Sequence, residues 1–578
     1  MHEMKGAEAF CRTLESLGAE IVFGVPGSQN VPLFEALRTS ALRTVLASSE
    51  LGAAFMANGY YRASGRPGIV TTIPGPGFTY ALTGITEARH DSAAVLLAVV
   101  TPTRESGRRF QLQDIDHQAM AGPVVKESFR VAEASNLGDV LRRAWAAATV
   151  DGPGPVLLEF AADCLGEPAS ASAEGTVTAP EDRAPDRTLV EAARLKLTES
   201  DRVVLFIGQG AADASEAVLE LAEALEACVL STSSGRGVVS EAHPRSLGGD
   251  FSVSGGIHIV NELIETSDLV LVLGSKLSHN GTSGFRLSIP EEKLIHVDSS
   301  TESLEGNYPA LLRIRSDCRA FLKALGSDGR GPNQGRNGWA LANLESWRKR
   351  LGELNQASNE TSFPRLSGEA GMGLQEFFRV LRDQLPDDGV VVTDSGLHQV
   401  ATRKWYEVRA PRGLILPSDF QSMGFGIPAA IGASLAMSKR KVVAIVGDGG
   451  MAMSGLELAS AVREGIDLTV VVFNDGHLGQ IRLQQLTDYG QAHGTELAAI
   501  DFRLLAEAVG ASYLAIDGSN LGHLAEALAN PGVTVVDLLL EDSPGLKRTR
   551  AKSLIKAATR NAVPSSLWQV LKRVLRRG

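Results

Sequence analysis

The segment from Lys441 to Gly479 reads KVVAIVGDGGMAMSGLELASAVREGIDLTVVVFNDGHLG. An apolar, β-rich run from Val442 to Val446 ends at Gly447-Asp448-Gly449-Gly450. A helical pattern follows, and a second apolar run, Leu468 to Phe473, ends at Asn474-Asp475-Gly476. Strand, helix and strand in that order predict a right-handed βαβ unit. Both polar clusters then lie at the carboxyl edge of neighbouring parallel strands, where open α/β sheets bind ligands. The glycines permit close backbone approach, and the helix start beyond them favours an anion. Asp448 and Asp475, 27 positions apart, place two carboxylates beside such a phosphate pocket, which is oxygen ligation suited to Mg²⁺. A lone glycine-rich turn is usually only a turn; a second polar cluster one βαβ length away gives this one its meaning.

The same alternation extends through the chain. Ile21 to Phe23, Thr44 to Ala47, Ile69 to Thr72 and Val95 to Val100 read as buried strands separated by amphipathic segments such as Leu51 to Arg62. A second set contains Val203 to Ile207, Leu269 to Leu273 and Leu294 to Val297, and a third begins at Val390 to Thr393. Stretches rich in small and polar residues, Pro168 to Asp186 and Ser327 to Gly338, read as linkers. The expected architecture is α/β, with three doubly wound parallel-sheet domains at 1–165, 187–326 and 370–545 and a separate tail at 546–578. No short-period repeat supports a solenoid.

With 578 residues, 44% hydrophobic and 21% charged, the composition is that of a globular chain rather than a disordered one. A net charge of −11 argues against a nucleic-acid binder that uses its whole surface. Cys11, Cys164, Cys228 and Cys318 are widely spaced, with no zinc pattern, and read as reduced thiols in the cytoplasm. The start, MHEMKGAEAF, has no secretory pattern, and no apolar run approaches the roughly 18 residues of a membrane span.

The GDG…NDG interval resembles the motif of the thiamine diphosphate enzymes of the acetolactate synthase, pyruvate oxidase and benzoylformate decarboxylase group. By that resemblance Asp448 and Asp475 ligate the metal through side chains and His477 through its carbonyl, while Gly449, Gly450, Leu478 and Gly479 line the cofactor. The family usually has Asn where this chain has Asp475. IVFGVPGSQNVPLFEAL and SSELGAAFMANGYYRASGRPGIVTTIPGPG resemble its pyrimidine-binding domain. There Glu50 is implied to hydrogen-bond the aminopyrimidine and promote loss of the C2 proton. Read alone, Glu50 is a carboxylate at a helix start with a serine cap. TDSGLHQVATRKWYEVRAPRGLILPSDFQSMGFGIPAAIGA resembles the start of the diphosphate domain. In it Met423 matches the apolar wedge under the cofactor, the Gln421 carbonyl receives the pyrimidine amino group, and Leu397 and His398 lie near the diphosphate.

On the substrate side, Phe110 and Gln111 match the FQ of the acetolactate synthase pattern, although Leu112 replaces its Glu. Lys276 and Asn280 occupy the places of arginines that serve flavin and an acceptor carboxylate in that family, Gln484 replaces a tryptophan, and GQGAAD at 208–213 lacks a full dinucleotide fingerprint. FAD is therefore not expected. The resemblance implies thiamine diphosphate- and Mg²⁺-dependent decarboxylation of a 2-oxo acid with transfer to a carbonyl acceptor. Simple decarboxylation is the alternative, and a non-catalytic homologue a third reading. It also implies a homodimer or homotetramer with Glu50 and the GDG site on different subunits. The tail carries ten basic and no acidic residues, so the net −11 divides into +10 on the tail and −21 on the body. Leu567, Val570, Leu571, Val574 and Leu575 form an apolar stripe that favours docking on the acidic body or across an interface, with peripheral contact to an anionic membrane as the alternative.

Overall fold

A computed structural model describes residues 4–103, 110–169, 184–326, 338–357, 363–368 and 372–543. The expected tail lies outside the described residues. The first sheet contains β1 (Ile21–Gly24), β2 (Arg43–Leu46), β3 (Gly68–Thr72), β4 (Val95–Thr101), β5 (Glu127–Val131) and β6 (Val156–Ala161), in the order β2-β1-β3-β4-β6-β5, all parallel. Every residue of β3 and β6 is buried. Such continuous apolar runs are what a parallel sheet covered on both faces requires.

The second sheet has β7 (Val203–Ile207), β8 (Cys228–Ser231), β9 (Ser246–Gly249), β10 (Leu269–Leu273), β11 (Leu294–Asp298) and β12 (Leu312–Arg315), in the order β12-β11-β10-β7-β8-β9, again parallel throughout. The helix Trp339–Ala357 buries Leu344, Trp347 and Leu351 in a cluster with Val204 and Phe206 of β7. It lies after the expected linker Ser327 to Gly338, between the expected domains 187–326 and 370–545, and it adds to the core of the middle sheet.

The third sheet is built from β13 (Arg365–Leu366), β14 (Val390–Thr393), β15 (Leu414–Ile415), β16 (Val442–Gly447), β17 (Leu468–Asn474), β18 (Ser512–Ile516) and β19 (Val533–Glu541). Its main path is β13-β19-β17-β16-β14-β15, with β18 also paired to β19. All pairs are parallel except the short edge strand β13 against β19.

The first and third domains share one core. The helix Glu50–Ser64 lies against the helix Gly426–Ala436, with Phe55 edge-on to Phe425 at 5.4 Å. Glycines set this approach: a Cβ on Gly59 would stand 2.1 Å from the Ala429 carbonyl oxygen, and one on Gly432 would stand 1.9 Å from that of Met56. Where the three domains meet, buried Arg62 pairs with buried Asp91 at 3.0 Å and also donates to the Leu416 carbonyl and Ser234. Asp91 in turn accepts from Asn58 and Ser418. All four cysteines are buried, and no helix among the described residues is long and apolar enough to cross a membrane.

Candidate active site

Parallel pairing sets Gly447 beside Phe473, so the turns that follow β16 and β17 emerge side by side. Asp448 opens the helix Asp448–Ser454. Its Oδ1 accepts the N–H of Gly449 at 2.8 Å, and its Oδ2 accepts that of Gly476 at 2.7 Å. Asp475 Oδ1 accepts the His477 N–H at 3.0 Å. Burial raises both carboxyls above the ordinary range, and the charge of Asp448 helps lift Asp475 to about 6. Two buried carboxylates at one sheet edge are relieved by a divalent cation. No group of three or more His, Cys, Asp and Glu side chains suited to a metal exists among the described residues. A cation here would therefore take its remaining ligands from backbone carbonyls and from an incoming phosphate.

Beside this pair lies a close-fitting cradle. A Cβ on Gly449 would come within 3.0 Å of Leu478 Cδ2 and 3.5 Å of Met423 Cε, and one on Gly479 would stand 2.6 Å from Asp475 Oδ2 and 3.3 Å from Leu397 Cδ2. Gly449, Met423, Leu478, Gly479, Leu397 and Asp475 are thus brought together. Gly450 faces Asp394, whose Oδ2 would lie 2.6 Å from a Cβ placed there. Asp394 is fully buried at the end of β14 and accepts N–H groups of Ser395 and Gly424, which ties the Met423 loop to the sheet edge. Burial lifts its carboxyl to about 7. Sequence reading passed over Asp394; its only local signal is a carboxylate directly after an apolar strand in TDSG.

His398 sits in the first turn of the helix Leu397–Trp405, buried, with Nδ1 3.1 Å from where a Cβ on Gly447 would be. Burial drives its pKa down to about 4, so the ring is neutral near pH 7. Its Nε2 is buried without a hydrogen-bond partner. An orphaned buried nitrogen is costly, and one beneath a glycine-lined turn at a helix start fits a group that brings phosphate oxygens. Gln421 adopts φ +64°, a left-handed conformation uncommon for a residue with a side chain. Its amide donates to the Pro417 carbonyl at 2.8 Å and its Oε1 accepts from Ser395 Oγ at 3.2 Å, so the side chain braces its own loop.

Glu50 lies at the carboxyl edge of the first sheet, as the first residue of the helix Glu50–Ser64, where Ser49 Oγ caps the Gly52 N–H at 3.0 Å. It is half-buried, and its Oε1 would lie 2.9 Å from a Cβ on Gly77. The neighbouring Gly75 N–H donates to His117 Nε2 at 3.2 Å, and His117 Nδ1 faces Glu159 at 3.1 Å. Gln113 packs over Gly75 and accepts from Gln29 at 2.7 Å. The segment holding Phe110 and Gln111 therefore begins beside the Glu50 turn, with Phe110 fully exposed and Gln111 half-buried. Among the described residues no hydrogen bond or ion pair joins Glu50 to Asp448, Gln421 or Met423 of the same chain.

Three family models match in succession: the N-terminal thiamine pyrophosphate binding domain over residues 4–120, the central domain over 190–325, and the C-terminal thiamine pyrophosphate binding domain over 394–538. A "Probable acetolactate synthase large subunit" of Methanocaldococcus jannaschii is 30% identical over 566 residues, covering 94% of this chain and 93% of that protein. The chain belongs to the thiamine pyrophosphate enzyme family. Other relatives within it include a "Probable 2-ketoarginine decarboxylase AruI" of Pseudomonas aeruginosa, 30% identical over 549 residues, with 93% of this chain and 94% of that protein covered. The "Acetolactate synthase large subunit" of Lactococcus lactis is 27% identical over 551 residues, with 94% and 91% covered. These two activities are both represented among the family members that this chain resembles along nearly its whole length.

In the central domain of this family member, Lys276 and Asn280 serve domain contacts. Lys276 Nζ donates to the His90 carbonyl at 2.5 Å; Asn280 donates through its backbone to Asp419 at 3.0 Å and through its amide to the Ser418 carbonyl. Gly208 and Gly210 are taken up in packing, since a Cβ on Gly208 would stand 2.1 Å from the Gly274 carbonyl oxygen.

Proposed function

We propose that this chain decarboxylates a 2-oxo acid and transfers the acyl unit to a carbonyl acceptor, using thiamine diphosphate and Mg²⁺. The observation that carries the reading is the pair Asp448 and Asp475 beside the glycine cradle and the unpartnered His398 Nε2, in a chain similar to acetolactate synthase large subunits. When bound, the cofactor supplies the carbon nucleophile and the electron sink for loss of CO₂. Asp448, Asp475 and the His477 carbonyl would hold the metal. Gly449, Gly450, Leu478 and Gly479 would admit the diphosphate, Leu397 and His398 would lie beside it, and Met423 would support the ring system. Glu50 would hydrogen-bond the pyrimidine ring and hold or pass a proton there. Phe110 and Gln111 would face the substrate.

A homodimer or homotetramer with Glu50 acting across the subunit interface is the assembly that goes with this reading. The exposed apolar side chains of Leu46, Met453 and Leu456, near the Glu50 and Asp448 helices, suit burial against a second copy. Simple decarboxylation to an aldehyde is the second reading, favoured by similarity to the 2-ketoarginine decarboxylase.

Incubation of the purified chain with thiamine diphosphate, Mg²⁺, a panel of 2-oxo acids that includes 2-ketoarginine, and assorted aldehydes and 2-oxo acids as acceptors separates the two by mass spectrometry. A C–C coupled product supports carboligation. Aldehyde without coupled product assigns simple decarboxylation, and no CO₂ release with any substrate would overturn both.

A further inference from the structure

Two buried glutamates cross between the outer domains in opposite directions. Glu457, at the end of the turn after the helix Asp448–Ser454, accepts the N–H of Ser48 at 2.9 Å on Oε2, and on Oε1 the N–H of Ser49 at 3.1 Å and the Ser49 hydroxyl at 3.2 Å. These donors immediately precede Glu50. Contact is close enough that a Cβ on Gly52 would stand 2.0 Å from Glu457 Oε1. Glu87, in the last turn of the helix Pro76–His90, accepts the N–H of Ser422 at 2.8 Å. Ser422 lies between Gln421 and Met423. Both glutamates are almost inaccessible, at 3% and 0% exposure; burial raises both carboxyls, Glu87 to about 8 with the charge of Asp91, and a buried polar group is tolerable only where it gains bonds in return.

The two helices complete a circuit. One begins at the Gly77 turn that touches Glu50 and ends at the glutamate that holds the Met423 loop. The other begins at Asp448, ends at Ser454 and leads through the turn Gly455–Glu457 to the glutamate that holds the Glu50 cap. We infer that Glu87 and Glu457 are positioning residues, each reaching from one outer domain to fix a loop of the other: Glu457 the Glu50 helix start, and Glu87 the Gln421–Met423 seat, which serve different active sites when Glu50 acts across the subunit interface. The division of labour follows from what each one grips. Glu457 sets the placement of Glu50, and Glu87 sets the seat formed by Gln421 and Met423. Glu457 needs both oxygens, because its two backbone donors reach different ones. Glu87 uses one, so an amide can replace it.

This inference rests on the proposed role of Glu50 and on thiamine diphosphate as the cofactor, and the test separates the two levels. Full-length Glu457→Met, Glu457→Gln, Glu87→Met, Glu87→Gln and Glu50→Gln are compared with the natural chain by three measurements. These are amide hydrogen exchange of the ligand-free protein, thiamine diphosphate affinity by calorimetry with Mg²⁺, and C2 proton exchange of the bound cofactor by quenched NMR. Glu457→Met is expected to speed amide exchange at Ser48 and Ser49 by about tenfold and slow C2 exchange by about 10²-fold, the scale of a 1 Å misplacement, with affinity held within about threefold. Glu87→Met is expected to loosen Ser422 and weaken affinity about tenfold, and Glu87→Gln to restore it.

Glu457→Met with natural amide and C2 exchange overturns the positioning role; if that variant does not fold, the same outcome in Glu457→Gln does so. A Glu50→Gln variant with natural C2 exchange overturns the role of Glu50 instead. The clamp is then judged by amide exchange at Ser48 and Ser49 alone, and unchanged exchange there refutes it.

Discussion

The carboxylate of Asp448 accepts the backbone N–H of Gly476 at 2.7 Å, which ties the end of β16 to the turn that carries Asp475. The same aspartate is thus a structural clasp between two strand ends and one half of a buried anionic pair. Replacing it with Ala removes both functions. Mg²⁺-dependent binding of thiamine diphosphate should weaken at least about tenfold, as read by calorimetry, since a lost charge-assisted contact is worth about 1.5–3 kcal/mol.

Asp475 adds a second negative charge at the edge. Asp475→Asn keeps the oxygen that accepts the His477 N–H and removes like-charge repulsion from Asp448. The ligand-free variant should melt about 2–4 °C higher, the shift expected for roughly 1 kcal/mol in a domain of this size. A lower melting temperature would refute the account of repulsion.

The pH dependence of that pair has a defined sign. Asp475 titrates near 6 when folded, against an ordinary value of 3.8. Its contribution to ligand-free stability is therefore full below about pH 4 and lost as pH rises through about 6. Metal binding needs the ionised form, so Mg²⁺ affinity should rise from about pH 5 to about pH 7 with proton release. Titration calorimetry in buffers of different ionisation heat measures both.

His398 works in the opposite direction. Its folded value of about 4 lies below the ordinary 6.5, so the stability it contributes is present above about pH 6.5 and is lost as pH falls through about 4. Unfolding midpoints of the natural chain and of His398→Gln should diverge across that window. Parallel curves would refute the assignment.

The junction of the first and third domains should tolerate no added methyl. Gly432→Ala places a carbon 1.9 Å from the Met56 carbonyl oxygen and should cost about 3 kcal/mol, measured by denaturant unfolding. Removing Asp91 alone strands the buried Arg62 and should cost about 3–5 kcal/mol.

Much of the architecture can be read locally. The apolar runs that end at Gly447 and Asn474 identify themselves as buried parallel strands, and their polar ends fall at one edge because a right-handed crossover leaves no other place for them. Ser48 or Ser49 before Glu50 likewise reads as a capped helix start, since a cap depends on neighbours three residues away, and the structure gives the cap to Ser49. The edge strand Arg365–Leu366 and the helix Trp339–Ala357 were not legible in that way. Two residues carry no period, and the helix that holds Trp347 packs on the helices Phe251–Ser254 and Ile257–Thr266, far back in the chain.

By itself, the order of residues determined the three alternating α/β units, the pairing of Asp448 with Asp475 at one edge, and the resemblance that made Glu50 and Met423 worth locating. Only the tertiary structure decided which groups hold them. Asp394 is tied to Gly424 across 30 positions, Glu87 to Ser422 across 335, and Glu457 to Ser48 across 409. A carboxylate that ends a helix or strand has the same local signature whether it faces water or a distant backbone N–H. Chain folding alone removes the water and supplies the donor, and with them the energetic reason for the carboxylate to be there.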